Sequence, residues 1–583
     1  MLNLIRAGIL ASFALVIAIQ NPSLTCADGT EKAATKQSLS RVRSFSEVGE
    51  FTRAFEELSQ VTDPSLRDDG HKMIADIQMK AGLIHAAVET ASYIESDQTR
   101  SDVLTQASQQ RSQTTGARGG GITPDFDQLI DLITTTVEPE TWEELGGAGA
   151  ISPFPTGVYV DSEGTLKRVT TLTNDTLLSE VHDAAKIATA NQNVSNNSPL
   201  RKVSLTRLEK ESQLLWAVGR EPDDTMKNLA GIYEVKYLLV YPETGEIVIA
   251  GPAGPWQPNA EGRPVNQATG HPVLQLDDFV VLLRNAIDNQ GKFGCAITPT
   301  QEGLKKAQAY LDSTSDKPLH PRQRDHWLEG LRDAVGPQEI TVHGVSPETR
   351  VGQIIVEADY HMKRIGMGLE EGTAGVPSYL DMVTIPPGGT APPMDVLRWW
   401  FTLDYRSVNV NEGRNAFQLA GPGVKVLSEN EMLDDQGKRI HTNKSTAENA
   451  TFARNFSQNY DALSVKYPIY AEMKNIFDLA MICSLIEQER VADQADWGMT
   501  HFGPKGNYQV TTGPVPSVVD TIMNMRVINK KHIIAGVSGG VSFDPTAMLT
   551  DDAMKVDDYG LMKADRAASV VPKDIKHHDW WWD

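Results

Sequence analysis

Residues 338–372 read QEITVHGVSPETRVGQIIVEADYHMKRIGMGLEEG. Ile340, Val342 and Val345 give the stretch a short apolar strand, and Gly344 lets the chain turn. Ser346 then stands where an N-cap belongs, with Pro347 at the first helical position and Glu348 in the first turn. A serine oxygen satisfies an orphan N–H there, and proline has no N–H to leave unpaired. Val351, Ile354, Ile355, Ala358, Met362, Ile365 and Leu369 follow in steps of three and four, the spacing of one helix face. Gly366, Gly368 and Gly372 soften the helix and end it. On the other face lie Glu357, His361 and Arg364, with Asp359 four residues ahead of Lys363. Glu357 and His361 have the i, i+4 spacing of two metal ligands on a helix. No third ligand is suggested nearby, so the face reads as solvated, with helix-spaced charge pairs worth a few tenths of a kcal/mol each. The stretch is a strand–turn–helix core element.

On the N-terminal side, VKYLLVY (Val235–Tyr241) and EIVIAGPA (Glu246–Ala253) flank PETG. The pair reads as a hairpin whose unbroken apolar run suits strands buried on both faces. Helices are expected over Asp277–Ile287, from a Thr298 cap with Pro299 to Leu311, and over about Pro321–Val335. A hairpin is expected at Gly157–Val169, turning over Asp161–Gly164, and a helix at Leu177–Asn191. Past Gly372 comes an irregular stretch, Pro377–Pro393. Arg398–Leu403, Ala416–Leu419 and Val424–Leu427 then read as strands, and Ser445–Ala492 as two helices broken at Pro468. His532–Phe543 is a last strand or hairpin. The fold class is α+β: an antiparallel-rich mixed sheet with packed helices over residues 154–544, one body with room for two subdomains.

The N-terminal part is helical and recurs. Phe51, Phe55, Val61, Arg67 and Asp69 correspond to Ile84, Val88, Ile94, Arg100 and Asp102 at a constant offset, as paired-helix solenoid units of the tetratricopeptide type do. Residues 49–108 form this repeat-like segment; with barely two units it packs on a neighbour or dimerises. A Gln-, Ser- and Gly-rich linker follows at 109–122, and a small docking module at 123–153. From 545 to 583 the chain reads as a mobile acidic tail.

The chain has 583 residues and a formal charge of −22, which argues against a nucleic-acid partner. Arg6 and the apolar run Ala7–Ile19, before Thr25-Cys26-Ala27, have the form of a secretory leader over residues 1–27, cleaved after Ala27. Cys26 is one position out of register for lipidation. No later stretch is long enough to span a membrane. Cys295 and Cys483 remain, read as small buried hydrophobes rather than a disulfide framework.

The sharpest catalytic motif is Gly536-Val537-Ser538-Gly539-Gly540, a G-x-S-x-G match. A nucleophile elbow needs a strand before the serine and a helix straight after it. HIIAGV supplies the strand, but the residues after Gly540 extend, so the glycines read as a hairpin or an edge-strand bulge. His577 and His578 are weak metal candidates, since adjacent residues in a tail hold no geometry. Trp580, Trp581 and Trp582 are better read as docking anchors. The aspartate pairs at 68–69, 277–278, 434–435, 551–552 and 557–558 lack calcium-loop spacing. No cofactor is expected.

Six blocks carry a resemblance. PFPTGVYVD, LAGIYEVKYLLVYPETGEIVIAGPA, PVLQLDDFVV, VEADYHMKRIGMGLE, GVKVLSENEM and YPIYAEMKNIFDLA run in order through Phe154–Asp544. This body resembles a family of uncharacterised exported planctomycete proteins that share a domain of unknown function. DFDQLIDLITTTVEPETWEELGG is similar to a short module fused to other exported planctomycete proteins, some secretin-like. The resemblance implies a compartment, the periplasm or cell envelope, and one large domain. It brings no activity, cofactor or catalytic residue. The expectation is a non-enzymatic envelope protein with a protein partner or a second copy of itself. The alternative is an envelope hydrolase using Ser538 or a carboxylate pair of the body.

Overall fold

The computed structural model describes residues 38–47, 49–115, 150–154, 157–161, 167–169, 194–314, 321–385, 395–434, 438–528, 531–557 and 560–583. The leader at 1–27, most of the docking module and the helix expected over 177–191 fall outside them. No described helix is long and apolar enough to cross a membrane. The chain divides into two compact units, residues 1–111 and 112–583.

The first unit is helical. After a helix at 38–47 come helices Phe51–Leu58, Pro64–Lys80, Ile84–Ala91 and Asp97–Thr115. The last runs into the stretch read as linker. Val42, Ala54, Leu58, Val61 and Ile74 form its core. Asp63 caps the second of these helices, ahead of Pro64 at its first position. The Asp68 carboxylate accepts from the backbone N–H groups of Glu95 and Ser96, tying that helix to the start of the last one.

The second unit is mixed α/β. Strands β1 (Ala150–Phe154), β2 (Gly157–Asp161) and β3 (Lys167–Val169) make a small antiparallel sheet, and β2 with β3 is the expected hairpin. Two large sheets follow. One contains β4 (Ser198–Ser204), β5 (Tyr237–Tyr241), β6 (Glu246–Ala253), β12 (Ser407–Val410), β13 (Ala416–Ala420), β19 (Met554–Val556) and β20 (Trp581–Trp582). Its order is β19-β12-β13-β5-β6-β4-β20. The other contains β9 (Phe293–Pro299), β10 (Gln338–His343), β11 (Asp395–Asp404), β14 (Gly423–Leu433), β15 (Arg439–His441), β16 (Val518–Val519), β17 (Met523–Ile528) and β18 (Lys531–Phe543). Its order is β15-β14-β11-β18-β9-β10-β16, with β17 also on β18. β7 (Trp256–Pro258) and β8 (Pro264–Asn266) form a separate hairpin. Among the described residues only β11–β18 and β12–β19 pair in parallel.

The inner faces of both large sheets share one core with the helices Leu276–Asn289, Arg350–Gly366 and Pro468–Gln488. Pro468 opens the longest helix at the expected break, and most of its side chains are buried. β5 and β6 are buried on both faces, as their apolar runs require. Leu238 and Val240 point into the shared core, while Leu239, Tyr241 and Val248 pack outward against Met562, Val571, Ile575 and Trp582. The segment expected to be a mobile tail is therefore the cover of a sheet face. The glycines of the Ser538 motif also differ from expectation, since β18 lies at the centre of its sheet. A Cβ on Gly539 would sit 1.5 Å from the Trp399 carbonyl oxygen, and one on Gly540 1.9 Å from that of Cys295. They are glycines because the neighbouring backbones come so close.

The Arg350–Gly366 helix begins later than expected. Thr349, not Ser346, is its cap, accepting from Gly352 N, while Ser346–Glu348 turn ahead of it. Likewise Thr300 stands at the start of helix Gln301–Thr314, two residues beyond the expected cap, because β9 continues to Pro299. The larger correction concerns the polar face of the Arg350–Gly366 helix. It is only partly solvated: Glu357, His361 and Arg364 are half-buried, and Asp359 and Lys363 are 0% exposed and paired at 2.5 Å, because sheet and neighbouring helices cover the helix on both sides. Removing one member of such a pair leaves a buried charge and costs about 3–5 kcal/mol, whereas replacing both by apolar residues is far milder. Chemical denaturation of K363M, D359L and the double variant tests this: each single change should destabilise strongly, and the double change should recover most of the loss.

Candidate functional site

Strand register assembles a polar cluster on the outer face of the β9–β18 sheet. Side chains on one face of a strand recur every second residue. Arg398 on β11 lies opposite Glu429 on β14 and Ser538 on β18, and Glu431 lies opposite His441 on β15. Arg439 therefore falls beside Glu431, which it grips with two hydrogen bonds of 2.6 and 2.7 Å. Arg439 also donates to Ser538 Oγ at 2.8 Å, and Ser538 donates to Glu431 at 3.2 Å. His441 Nδ1 is 3.2 Å from Glu429 and 3.1 Å from Glu431. Arg398 donates to Glu429 at 3.2 Å and stacks over Trp400. Burial raises the proton affinity of Glu429, but the Asn443 N–H, Arg398 and His441 outweigh it and hold the carboxyl below its usual range.

Glu429, Glu431 and His441 bring ligand atoms within 4.8 Å of one another, close enough for one divalent ion. Two guanidinium groups already balance the two carboxylates, however, and a cation would have to displace Arg439. Ser538 is buried in mid-strand with Arg439 and Glu431 as its partners, so it does not stand on a strand-to-helix turn. The sequence reading had Ser538 but missed the residues around it. The signal was there in the alternation of Glu429 with Glu431 and of Arg439 with His441, two residues apart on strands that become neighbours.

A second constellation joins the three inner helices. Arg263, from the β7–β8 hairpin region, binds Glu357 at 2.5 Å, Glu261 at 2.8 Å, and Glu472. Arg350 binds Asp278 and Glu472. Glu357 and His361, the helix pair considered as metal ligands, point into different contacts. His361 Nδ1 meets the Tyr470 hydroxyl at 2.6 Å, and its Nε2 lies 3.1 Å from Glu370. Burial pushes Asp278 up to about 6; Arg350 opposes this and Asp277 adds to it.

The remaining candidates are dispersed. His578 is 2.9 Å from Glu211, with His577 stacked at its edge. Trp581 and Trp582 form β20 on the edge of β4, and Trp580 and Trp582 are buried in this chain's own core. Buried Arg201 stacks on Trp581 and grips Asp583 at 2.8 and 3.0 Å. Cys295 and Cys483 are buried free thiols.

Residues 295–379 match a family model described as a protein of unknown function, DUF1598. The DUF1598 segment starts at Cys295 on β9 and takes in β10 and the Arg350–Gly366 helix. It ends at Tyr379, whose ring packs edge-on against Trp399. No curated protein and no solved structure matches the chain. The segment contributes Arg350 and Glu357 to the helix network, and the outer-face cluster lies beyond it.

Because the folded chain holds the Asp278 proton more tightly than an unfolded one, its contribution to stability is full below the ordinary carboxylate range and is lost as pH rises through about 6. The loss is on the order of 3 kcal/mol, at about 1.4 kcal/mol per tenfold change in proton affinity. D278N, which stays neutral, should remove this dependence. Denaturation midpoints between pH 4 and 7 should fall with pH in the parent relative to D278N; parallel curves would remove Asp278 as the titrating group.

Proposed function

We propose that the chain is an exported cell-envelope protein that works through protein–protein contact, with the N-terminal helical unit as its binding surface and the α/β body as scaffold. The observation that supports this reading is the likeness of two helix starts within the helical unit. Helices Phe51–Leu58 and Ile84–Ala91 are equal in length and begin 33 residues apart. The residue two positions ahead of each is a glycine with positive φ, Gly49 at 82° and Gly82 at 78°. Glu50 and Leu83, which precede the helices directly, share the same backbone conformation. Units of this kind stack side by side and present their open faces to partners. Leu83 and Tyr93 are each 46% exposed, and the Tyr93 ring continues through His71 to Phe55. The leader-like residues 1–27 and the family resemblance support export.

The test has two arms. Mass spectrometry of the chain from its native host should find a mature N-terminus at Asp28 in the envelope fraction; an uncleaved chain in the cytoplasm overturns export. A photoreactive residue at position 83 should trap one discrete protein partner, lost on introducing Y93D. Trapping unaffected by that change, or no adduct at all, overturns the binding surface.

One observation favours a second reading, an envelope hydrolase: Ser538 lies beside Glu431, with Glu429 and His441 around it. Labelling by a serine-reactive phosphonate that disappears in S538A would establish that reading in place of the first.

A further inference from the structure

The helix Leu205–Ala217 turns Glu209, Ser212 and Trp216 toward the turn over residues 497–508, and buried Gln213 belongs to the same helical stripe. These positions recur at i, i+3, i+4 and i+7, the spacing of a single helical stripe. Glu209 is saturated: it accepts from Trp497 Nε1 at 2.5 Å, His501 N at 2.8 Å and Phe502 N at 2.6 Å. His501 Nε2 lies 3.2 Å from Ser212 Oγ, and its ring packs near those of Trp216, Phe502 and Tyr508. Gln213 and His501 are both almost wholly buried. Yet Gln213 Oε1, Gln213 Nε2, His501 Nδ1 and the adjoining Thr500 hydroxyl have no hydrogen-bond partner among the described residues.

A buried polar group without a partner costs about 1–3 kcal/mol, and native proteins meet that demand with ordered water or a ligand. Here several such atoms come from two elements in direct contact. Burial, with Arg284 beside it, pushes His501 down to about 3, so the imidazole is neutral and offers one donor and one acceptor. Gln213 likewise offers one of each kind. The neighbouring charges are already engaged, Glu209 by three N–H donors and Arg284 by the carbonyl oxygens of Phe502, Gly503 and Tyr508, so the unpartnered atoms belong to neutral groups.

We infer that Gln213 and His501, with Thr500, form an internal binding site for a neutral hydrogen-bonding guest, either ordered water or a small hydroxyl- or amide-bearing molecule. The guest bridges the helix to the 497–508 turn and so fixes the turn that Glu209 organises.

The full chain tests this. Q213M keeps the side-chain volume and removes the amide. With a guest in place, the variant loses bridging hydrogen bonds and its Tm falls by several degrees. If the amide is a bare cost, its removal raises Tm, and the inference is overturned. Nitrogen NMR of chain labelled in histidine gives a reading that does not depend on the variant folding. A His501 Nδ1 resonance shifted by hydrogen bonding supports the site, and one at the unbonded position overturns it. Small-molecule mass spectrometry of the supernatant after dialysis and denaturation separates the two sources: an organic compound in stoichiometric amount identifies the larger guest, and its absence beside a bonded Nδ1 identifies water.

Discussion

The strands at the centre of the seven-stranded sheet are buried on both faces, and much of the body depends on that constraint. A strand covered on two sides has to be apolar along its whole length, as β5 and β6 are. Each of its faces must also find a partner. The three inner helices serve one face of both large sheets. On the far side of β5 and β6 the cover comes from helix Leu561–Ala568, Val571, Ile575 and Trp582. On the far side of the other sheet it comes partly from helices Gln301–Thr314 and Arg324–Val335, against Met523, Met525 and Ile534. The rest of that face carries the arginine–carboxylate cluster around Glu431.

Charge inside this protein is held where elements meet. Asp359 with Lys363 lies where the Arg350–Gly366 helix meets β9, with Lys363 also reaching the Ile297 carbonyl oxygen. Arg263 and Arg350 tie the three inner helices together through Asp278, Glu357 and Glu472. Buried pairs add little net stability over apolar replacements, but a guanidinium fork accepts few geometries, so these pairs fix how the helices are set against one another. The same fork at Arg439 fixes Glu431 beside Ser538.

Local signals in the sequence carried much of this fold. The β5–β6 hairpin, the helix opening at Pro468, the β2–β3 hairpin and the apolar stripe of Arg350–Gly366 all follow from periodicity and from proline or glycine chemistry. What did not follow were the decisions made by distant residues. Ser346 and Thr349 are both competent caps, and the later one is used where Thr349 bridges Thr512 and Gly513 N–H donates to the Glu348 carbonyl oxygen. Asp359 and Lys363 have the spacing of a surface pair, and only the sheet strand packed against them shows that they are interior. The Glu429, Glu431, Arg439 and His441 cluster was legible as alternation, but which strands become neighbours is set by the sheet order. The C-terminal segment reads as a mobile tail by composition, although strands apolar on two faces need a second partner, which Trp582 supplies with Met562, Val571 and Ile575.

Hydrogen exchange of β5 and β6, in the full chain and in a chain ending at Val556, tests that dependence most directly. If the C-terminal segment is the second cover of the sheet, amides of residues 238–241 and 247–250 will lose most of their protection on truncation. Unchanged protection in a folded, truncated chain would contradict the account, because the outer face of these strands would then need no cover.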